Sequence, residues 1–328
     1  MGYNKERYRT LKNIAYYILF GVWYVVSCLP MWFLYAISSF VSAILFYIIR
    51  YRRKVVHQNI KESYPALSDK ERWKIERRFY VYFCDILMES VKFFSISEKE
   101  IRKRMQFKGL ELLEDSCRRG KSCGFFLGHY GNWEWISSIP LWLDPKTGKC
   151  TQLYHPLENY VTDRLISYTR ERFGSTNIPT NESIRHFVKY RKEGRPILVG
   201  FIADQAPFWS NIYYWTSFLN HPETPVFTGA ERIMKKFDMD VYYMDVQRIS
   251  RGHYVAECKL ITTKPSDCEE FFLTETYTRM LEETINRAPA YWLWSHRRWK
   301  RTKEEWLRIT EGGLKLGEHH AVHGINQM

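Results

Sequence analysis

The sequence predicts an α/β fold: a layered sheet with flanking helices, preceded by an N-terminal membrane-embedded helical segment. Three observations predict it. Strand-like and helix-like runs alternate along most of the chain, the pattern of a sheet covered by its connecting helices. Two of the strand-like runs, around Phe125 and Val199, are continuously apolar, as strands buried on both faces are. Finally, Ile14 to Ile49 contain no charged side chain over 36 positions, whereas about 20 are enough to cross the hydrocarbon core of a bilayer.

The apolar segment comes first. It is too long for a cleavable signal peptide and lacks a small-residue cleavage site. Pro30 divides it into "IAYYILFGVWYVVSCL" and "MWFLYAISSFVSAILFYII". Proline removes a backbone donor and clashes with the preceding turn, so a break is expected there. Two arrangements fit: a spanning helix followed by an interfacial one, or a shallow hairpin returning to the same side. Lys5, Arg7, Arg9 and Lys12 precede the segment, and Arg50, Arg52, Arg53 and Lys54 follow it. Positive flanks on both sides favour both ends being cytoplasmic, and the second cluster suits anionic headgroups. Residues 1–54 are read as this anchor, 55–310 as the main domain, and 311–328 as a Gly- and His-rich tail expected to be disordered. His319, His320 and His323 in that tail are read as tail residues, and no metal site is expected.

The main domain opens with "SDKERWKIERRFYVYFCDILMESVKFF", a long helix with Ser68 and Glu71 as a capping box. Asp85 and Glu89 lie one turn apart on it and are expected to form a solvated pair. "CGFFLGHY" is a buried strand, and "NWEWISSIPLWL" a helix that Asn132 would cap. "RPILVGFIADQ" is a second buried strand from Pro196 to about Ala203. "TGAERIMKKF" is a helix. "MDVYYMDVQRI" and "GHYVAECKLITT" alternate about "SRG" and form a hairpin. A helix from about Ser266 to Asn286 leads to "YWLWSHRRWKR".

Composition narrows the function classes. The formal charge of +13 calls for an anionic partner. No reader motif for nucleic acid is present. The 17% of aromatic residues suits a lipid interface. Seven dispersed cysteines without a CxxC read as reduced thiols rather than a disulfide framework or zinc site. No Walker or dinucleotide-type glycine loop occurs, and no cofactor is expected.

The candidate site lies where strands end. Ligands of α/β folds collect at the carboxyl ends of strands. His129 occupies that position after the first buried strand, and Asp204 and Gln205 after the second. Histidine suits proton transfer near neutral pH, and a carboxylate can fix its tautomer. Glu134, with four residues between it and His129, is the expected partner. Ser122 and Cys123 sit at the wrong end of the strand to act as nucleophile, so the substrate would supply the hydroxyl. Backbone amides near Asn132 and Trp133, at the start of the expected helix, would face the developing oxyanion.

Context extends this reading. "GHYGNWEW" resembles the His-x4-acid motif of the glycerolipid acyltransferase superfamily. Nearly the whole chain is similar to one branch of it, the late acyltransferases of lipid A biosynthesis. The similarity runs through the apolar anchor, "RRKVVHQNIKESYP", "LYHPLEN", "ADQAP", "FLNHPETPVFTGAERIMKK" and "APAYWLWSHRRWKR". It implies a glycerolipid-acyltransferase-like sheet and an enzyme of the bacterial inner membrane facing the cytoplasm. His129 would be the general base and Glu134 its orienting partner. Asp204 and Gln205 would shape the site. The donor would be an acyl carrier protein thioester, and the acceptor a hydroxyl of a lipid A precursor. The family carries Arg after Tyr in its second block, where this chain has His155 after Tyr154. Arg164, Arg170 or Arg172 would then supply the missing charge. The "RISRGH" and "SHRRWKR" runs, Arg297 included, are either solvated or contact phosphate. Other readings are an acceptor that is a lysophospholipid or aminolipid, a thioesterase, and an inactive lipid-binding protein.

Overall fold

The computed structural model describes residues 16–312. The first basic flank and the His-bearing tail lie outside them.

The apolar segment folds as two helices, α1 (Tyr16–Cys28) and α2 (Met31–Ala43), the latter running on into a π-helical turn at Ile44–Ile48. Pro30 is the N-cap residue of α2, so the break falls where its missing N–H costs nothing. Met31–Ile48 is long and apolar enough to cross a membrane by length and composition.

Helices α3 (Arg53–Ser63) and α4 (Asp69–Phe93) follow. The capping box at the start of α4 forms as expected. Ser68 Oγ accepts the Glu71 N–H, and Glu71 Oε2 accepts the Ser68 N–H at 2.8 Å. Phe79, Tyr82, Ile86, Glu89 and Phe93 are all buried along one stripe of α4 at helical spacing. Asp85 and Glu89 are therefore not a solvated pair: both side chains are fully buried.

The remaining elements are α5 (Glu98–Arg104), β1 (Met105–Lys108), α6 (Leu110–Arg118), β2 (Cys123–Leu127), β3 (Lys149–Tyr154), α7 (Tyr160–Glu171), β4 (Thr176–Pro179), α8 (Ser183–Lys192) and β5 (Ile197–Ile202). Then come β6 (Tyr214–Phe218), β7 (His221–Val226), α9 (Gly229–Lys236), β8 (Asp240–Ser250), β9 (His253–Thr262), α10 (Phe272–Arg287) and α11 (Lys303–Glu311). Seven strands form one sheet in the order β1-β9-β8-β2-β5-β3-β4, and β6 and β7 pair separately. Within the large sheet only β8 and β9, the expected hairpin, are antiparallel. The last long helix starts at Phe272, later than expected, because Pro265–Asp267 forms a separate 3-10 turn.

Two consequences position the site. β2 and β5 are parallel neighbours, with Leu127 opposite Ile202. Their carboxyl ends, and so His129 and Asp204, emerge side by side. The second consequence is a correction. The expected α-helix after Asn132 is a 3-10 helix, Trp135–Leu141. Pro140 lies inside it and removes a donor that an α-helix needs. Ser137 and Ser138 bond back to the carbonyls of Glu134 and Trp135, at 2.8 and 2.6 Å, which tightens the turn further.

Candidate active site

A cavity of about 400 Å³ opens at the carboxyl ends of β2, β3 and β5. His129, Glu134, Arg170 and Gln205 are among its polar lining, and Leu153 and Ile166 are among its apolar walls.

His129 is fastened on one side and open on the other. Its Nδ1 lies 2.6 Å from Asp204 Oδ1, and its backbone N–H donates to Asp204 Oδ2 at 2.8 Å. The indole N–H of Trp292 donates to the same oxygen at 2.8 Å. Burial pushes the Asp204 carboxyl up, but the adjacent His129 and these three hydrogen bonds outweigh it and hold it down at about 2. An ionised carboxylate only accepts, so the His129 proton sits on Nδ1. Nε2 then carries the lone pair, with Gln205 Nε2 at 3.4 Å. The Trp133 ring stands edge-on to the imidazole at 5.2 Å.

The carboxylate on His129 is thus Asp204. Glu134 lines the same cavity but accepts two hydrogen bonds from Arg170, at 2.6 and 2.7 Å, and one from Trp133 Nε1 at 3.1 Å. Burial raises its carboxyl, yet Arg170, and His129 after it, bring it below the usual range. The same attraction outweighs burial at Arg170 and raises that guanidinium.

The loop between strand and 3-10 helix is held from several sides. Tyr130 N–H closes a tight turn on Gly128 O at 2.7 Å. Gly131 has φ +59°, and a Cβ there would meet Val246 Cγ1 at 2.6 Å. Tyr82 OH donates to Gly131 O at 2.7 Å, and Gly131 N–H to Tyr291 O at 3.0 Å.

Asn132 is fully buried and does not line the cavity. It acts as a brace. Its Oδ1 accepts the Trp135 N–H at 3.0 Å, and its Nδ2 donates to Glu89 Oε2 at 2.6 Å. The Trp135 amide is therefore already bonded. Glu89 also accepts from Tyr35 and Tyr254, at 2.8 and 2.9 Å. Burial raises its carboxyl to about 7, helped by the charge of Asp85 and opposed by these donors.

Other expected residues divide. His155 lines the exposed rim of the cavity. Arg172 does not reach it: its guanidinium donates to Phe93 O and Ile96 O, at 2.6 and 3.0 Å, and closes the end of α4. Arg164 lies over the Tyr16 ring at 4.1 Å. Arg297 is exposed and outside the cavity lining. Arg248 and Arg251 of the "RISRGH" run hold the buried Asp85, at 2.8 and 2.6 Å, Arg248 from a buried position and Arg251 from a partly exposed one. Arg298 of the second run is buried and donates to Pro225 O at 2.7 Å. Trp292 and Glu89 were missed by sequence reasoning. The signal for Glu89 was present: it falls on the apolar stripe of α4. Among the described residues no group of His, Cys, Asp and Glu side chains is arranged to hold a metal ion.

Comparisons with known proteins identify relatives of this chain. A lipid A biosynthesis acyltransferase of Haemophilus influenzae is 23% identical over 143 residues, 44% of this chain and 44% of that one. The lipid A biosynthesis myristoyltransferase of Escherichia coli is 24% identical over 137 residues, 42% of this chain and 41% of that one. The chain thus spans less than half the length of these curated relatives. The family model of bacterial lipid A biosynthesis acyltransferases matches much further, over residues 2–301. That span takes in the apolar helices, the His129 loop, Asp204 and the Trp292 turn, and the chain belongs to the bacterial lipid A biosynthesis acyltransferase family.

Proposed function

We propose that this protein is a membrane-bound O-acyltransferase that moves a fatty acyl chain from an acyl carrier protein thioester to a hydroxyl of a lipid A precursor. The observation that carries this is His129: Nδ1 is tied to a buried, ionised Asp204, while Nε2 sits at a partly apolar cavity and, among the described residues, meets the Gln205 amide, which is not a nucleophile. A base so placed can take the proton of a substrate hydroxyl.

The reaction then runs in one transfer. His129 Nε2 takes the hydroxyl proton as the oxygen attacks the thioester carbonyl. The C–O bond forms, and the carbonyl oxygen takes up the negative charge. Collapse breaks the C–S bond, and the departing sulfur takes the proton from the imidazolium. The products are an ester and a free thiol. Asp204 keeps the ring in the right tautomer and stabilises its positive form. Gln205, beside Nε2, is placed to donate to the oxyanion. Glu134 acts through its charge, since Arg170 and Trp133 already occupy its oxygens. The net charge of +13 suits an acidic carrier protein and a phosphorylated acceptor alike. The apolar helices support work at a membrane, which we read as the cytoplasmic face of the bacterial inner membrane.

The direct test is His129→Ala, assayed with an acyl carrier protein donor and purified lipid A precursor. Near-complete loss of transfer with an unchanged circular dichroism spectrum is expected. Unchanged transfer would remove His129 from the mechanism. Donor turnover measured without acceptor separates a thioesterase, which would hydrolyse as fast as the transferase acylates. Mass spectra of lipid A from cells with and without the protein identify the acceptor; an unaltered lipid A beside a changed phospholipid or aminolipid would replace the lipid A precursor.

A further inference from the structure

The two apolar helices lie along the main domain. α2 turns Met31, Leu34, Ser38 and Ser42 inward and packs on α4. Its midpoint is fastened by polar bonds. Ser38 Oγ donates to Asp85 Oδ1 at 2.6 Å, and Tyr35 OH to Glu89 Oε1 at 2.8 Å. Arg251, paired with Asp85, also donates to Tyr35 O at 3.1 Å and Ser39 Oγ at 3.0 Å. The turn between α1 and α2 is tied down as well, because Lys92 Nζ donates to Ser27 O and Leu29 O at 2.9 and 3.0 Å. Helix α1 packs through Tyr16 and Phe20 onto Phe94 and α7, with Phe20 and Tyr168 rings 5.6 Å apart.

The opposite face is bare. Trp32, Phe40 and Ile48 are 71%, 68% and 75% exposed, and Tyr17, Val22 and Val25 of α1 are exposed beside them. A helix crossing a bilayer along Met31–Ile48 would have to carry Asp85 and Arg251, with Arg248 paired to Asp85, into hydrocarbon, or break the bonds of Asp85 and Arg251 to its middle. Ionised groups at that depth are costly. A helix lying in the plane of the surface meets neither problem: one face rests on the domain and the other enters lipid.

We infer that α1 and α2 form an interfacial plate that lies in a single leaflet of a bilayer containing anionic lipid, and that α2 does not span. The occupant is lipid on three grounds. The bare face mixes aliphatic residues with Trp and Tyr, which prefer the headgroup boundary. Exposed Arg50, Arg52 and Lys54 follow the plate directly and complement anionic headgroups. Finally, α1 rests on α7, whose Ile166 and Arg170 line the catalytic cavity, so the plate and the cavity wall share one helix. A lipid acceptor would then reach His129 from the leaflet in which the plate lies. This deepens the membrane attachment proposed above and rests on it.

The test uses the full chain with Cys28→Ser and Cys268→Ser, which removes the more accessible thiols. Trp32→Cys, Phe40→Cys and Ile48→Cys then carry a fluorescent label one at a time. Each protein is mixed with vesicles of phosphatidylethanolamine and phosphatidylglycerol and floated on a density gradient. Lipid quenchers at graded depths next report where each label sits. The expected result is flotation, with all three labels quenched best by the same shallow quencher. Flotation with Phe40→Cys deepest and the two end labels near opposite surfaces would show a spanning helix and overturn the plate. Labels reached only by an aqueous quencher would overturn it too. No flotation at all would instead sink the membrane attachment itself.

Discussion

Asp204 receives three donors and returns none, so its value to the site is its charge. Asp204→Asn keeps the shape but presents an amide to His129 Nδ1. The ring can then turn or adopt the wrong tautomer. A fall in kcat of about 10³ to 10⁴-fold is expected, the scale seen when a triad carboxylate is neutralised in a serine protease. Steady-state transfer rates check it, and a loss under tenfold would make Asp204 merely structural. Glu89 works in the opposite sense. Its folded carboxyl is raised from 4.5 to about 7, so the folded state binds the proton more tightly than the unfolded chain. Its contribution is complete below about pH 4.5 and is lost as pH rises through 7. The loss amounts to about 3 kcal/mol at about 1.4 kcal/mol per pH unit. Glu89→Gln is expected to flatten this part of the stability curve, read from urea midpoints between pH 4.5 and 7.5. A wild-type-like slope would show that Glu89 is ionised throughout. The meeting of His129, Asp204 and Gln205 was legible from sequence, since two buried strands deliver them to one edge. The identity of the carboxylate on His129 was not. Spacing from His129 to Glu134 says nothing of Arg170, which comes from another element and occupies Glu134.

At the scale of the elements, the site depends on a strand that ends abruptly and a loop with little freedom. Gly131 is required twice, for its left-handed φ and for the space that Val246 leaves. Gly131→Ala is expected to cost about 1–3 kcal/mol of stability and to shift His129 out of line. Adding Val246→Ala removes the clash but not the backbone strain. Partial recovery of both Tm and kcat is therefore expected in the double variant. No recovery would mean that strain alone accounts for the loss. The strands, the hairpin and the capped α4 were legible because each rests on local periodicity or a terminal motif. The 3-10 helix after Glu134 was not read, although Pro140 was visible in it. Asp85 and Glu89 were misread because a charged pair one turn apart is usually solvated. Their partners, Arg248, Arg251 and Tyr254, lie more than 160 residues away.

In the molecule as a whole, distant segments complete one another. Trp292 donates to Asp204 across 88 residues of chain. Trp292→Phe keeps most of the ring and removes the donor. It is expected to raise the Asp204 carboxyl, lower kcat about tenfold and cost about 1–3 kcal/mol, as loss of a partner to a buried charge does. Rates across pH and a urea titration check both. The general architecture was legible in order, from apolar helices to closing Trp-rich turn. The way α2 docks on α4 was not, because an uncharged run reads the same whether it crosses lipid or lies along a protein.

The strand order also has a consequence for synthesis. β1 is made early, yet among the described residues its one neighbour in the sheet is β9, and β8 must arrive before β2 is flanked on both sides. Trp292 comes later still. On the ribosome the apolar helices emerge before the strands, while the sheet is incomplete. Asp204 gains its last donor only when nearly all of the family-matched span has been translated. An unfinished chain therefore holds His129 and Asp204 without the full set of bonds of the complete site.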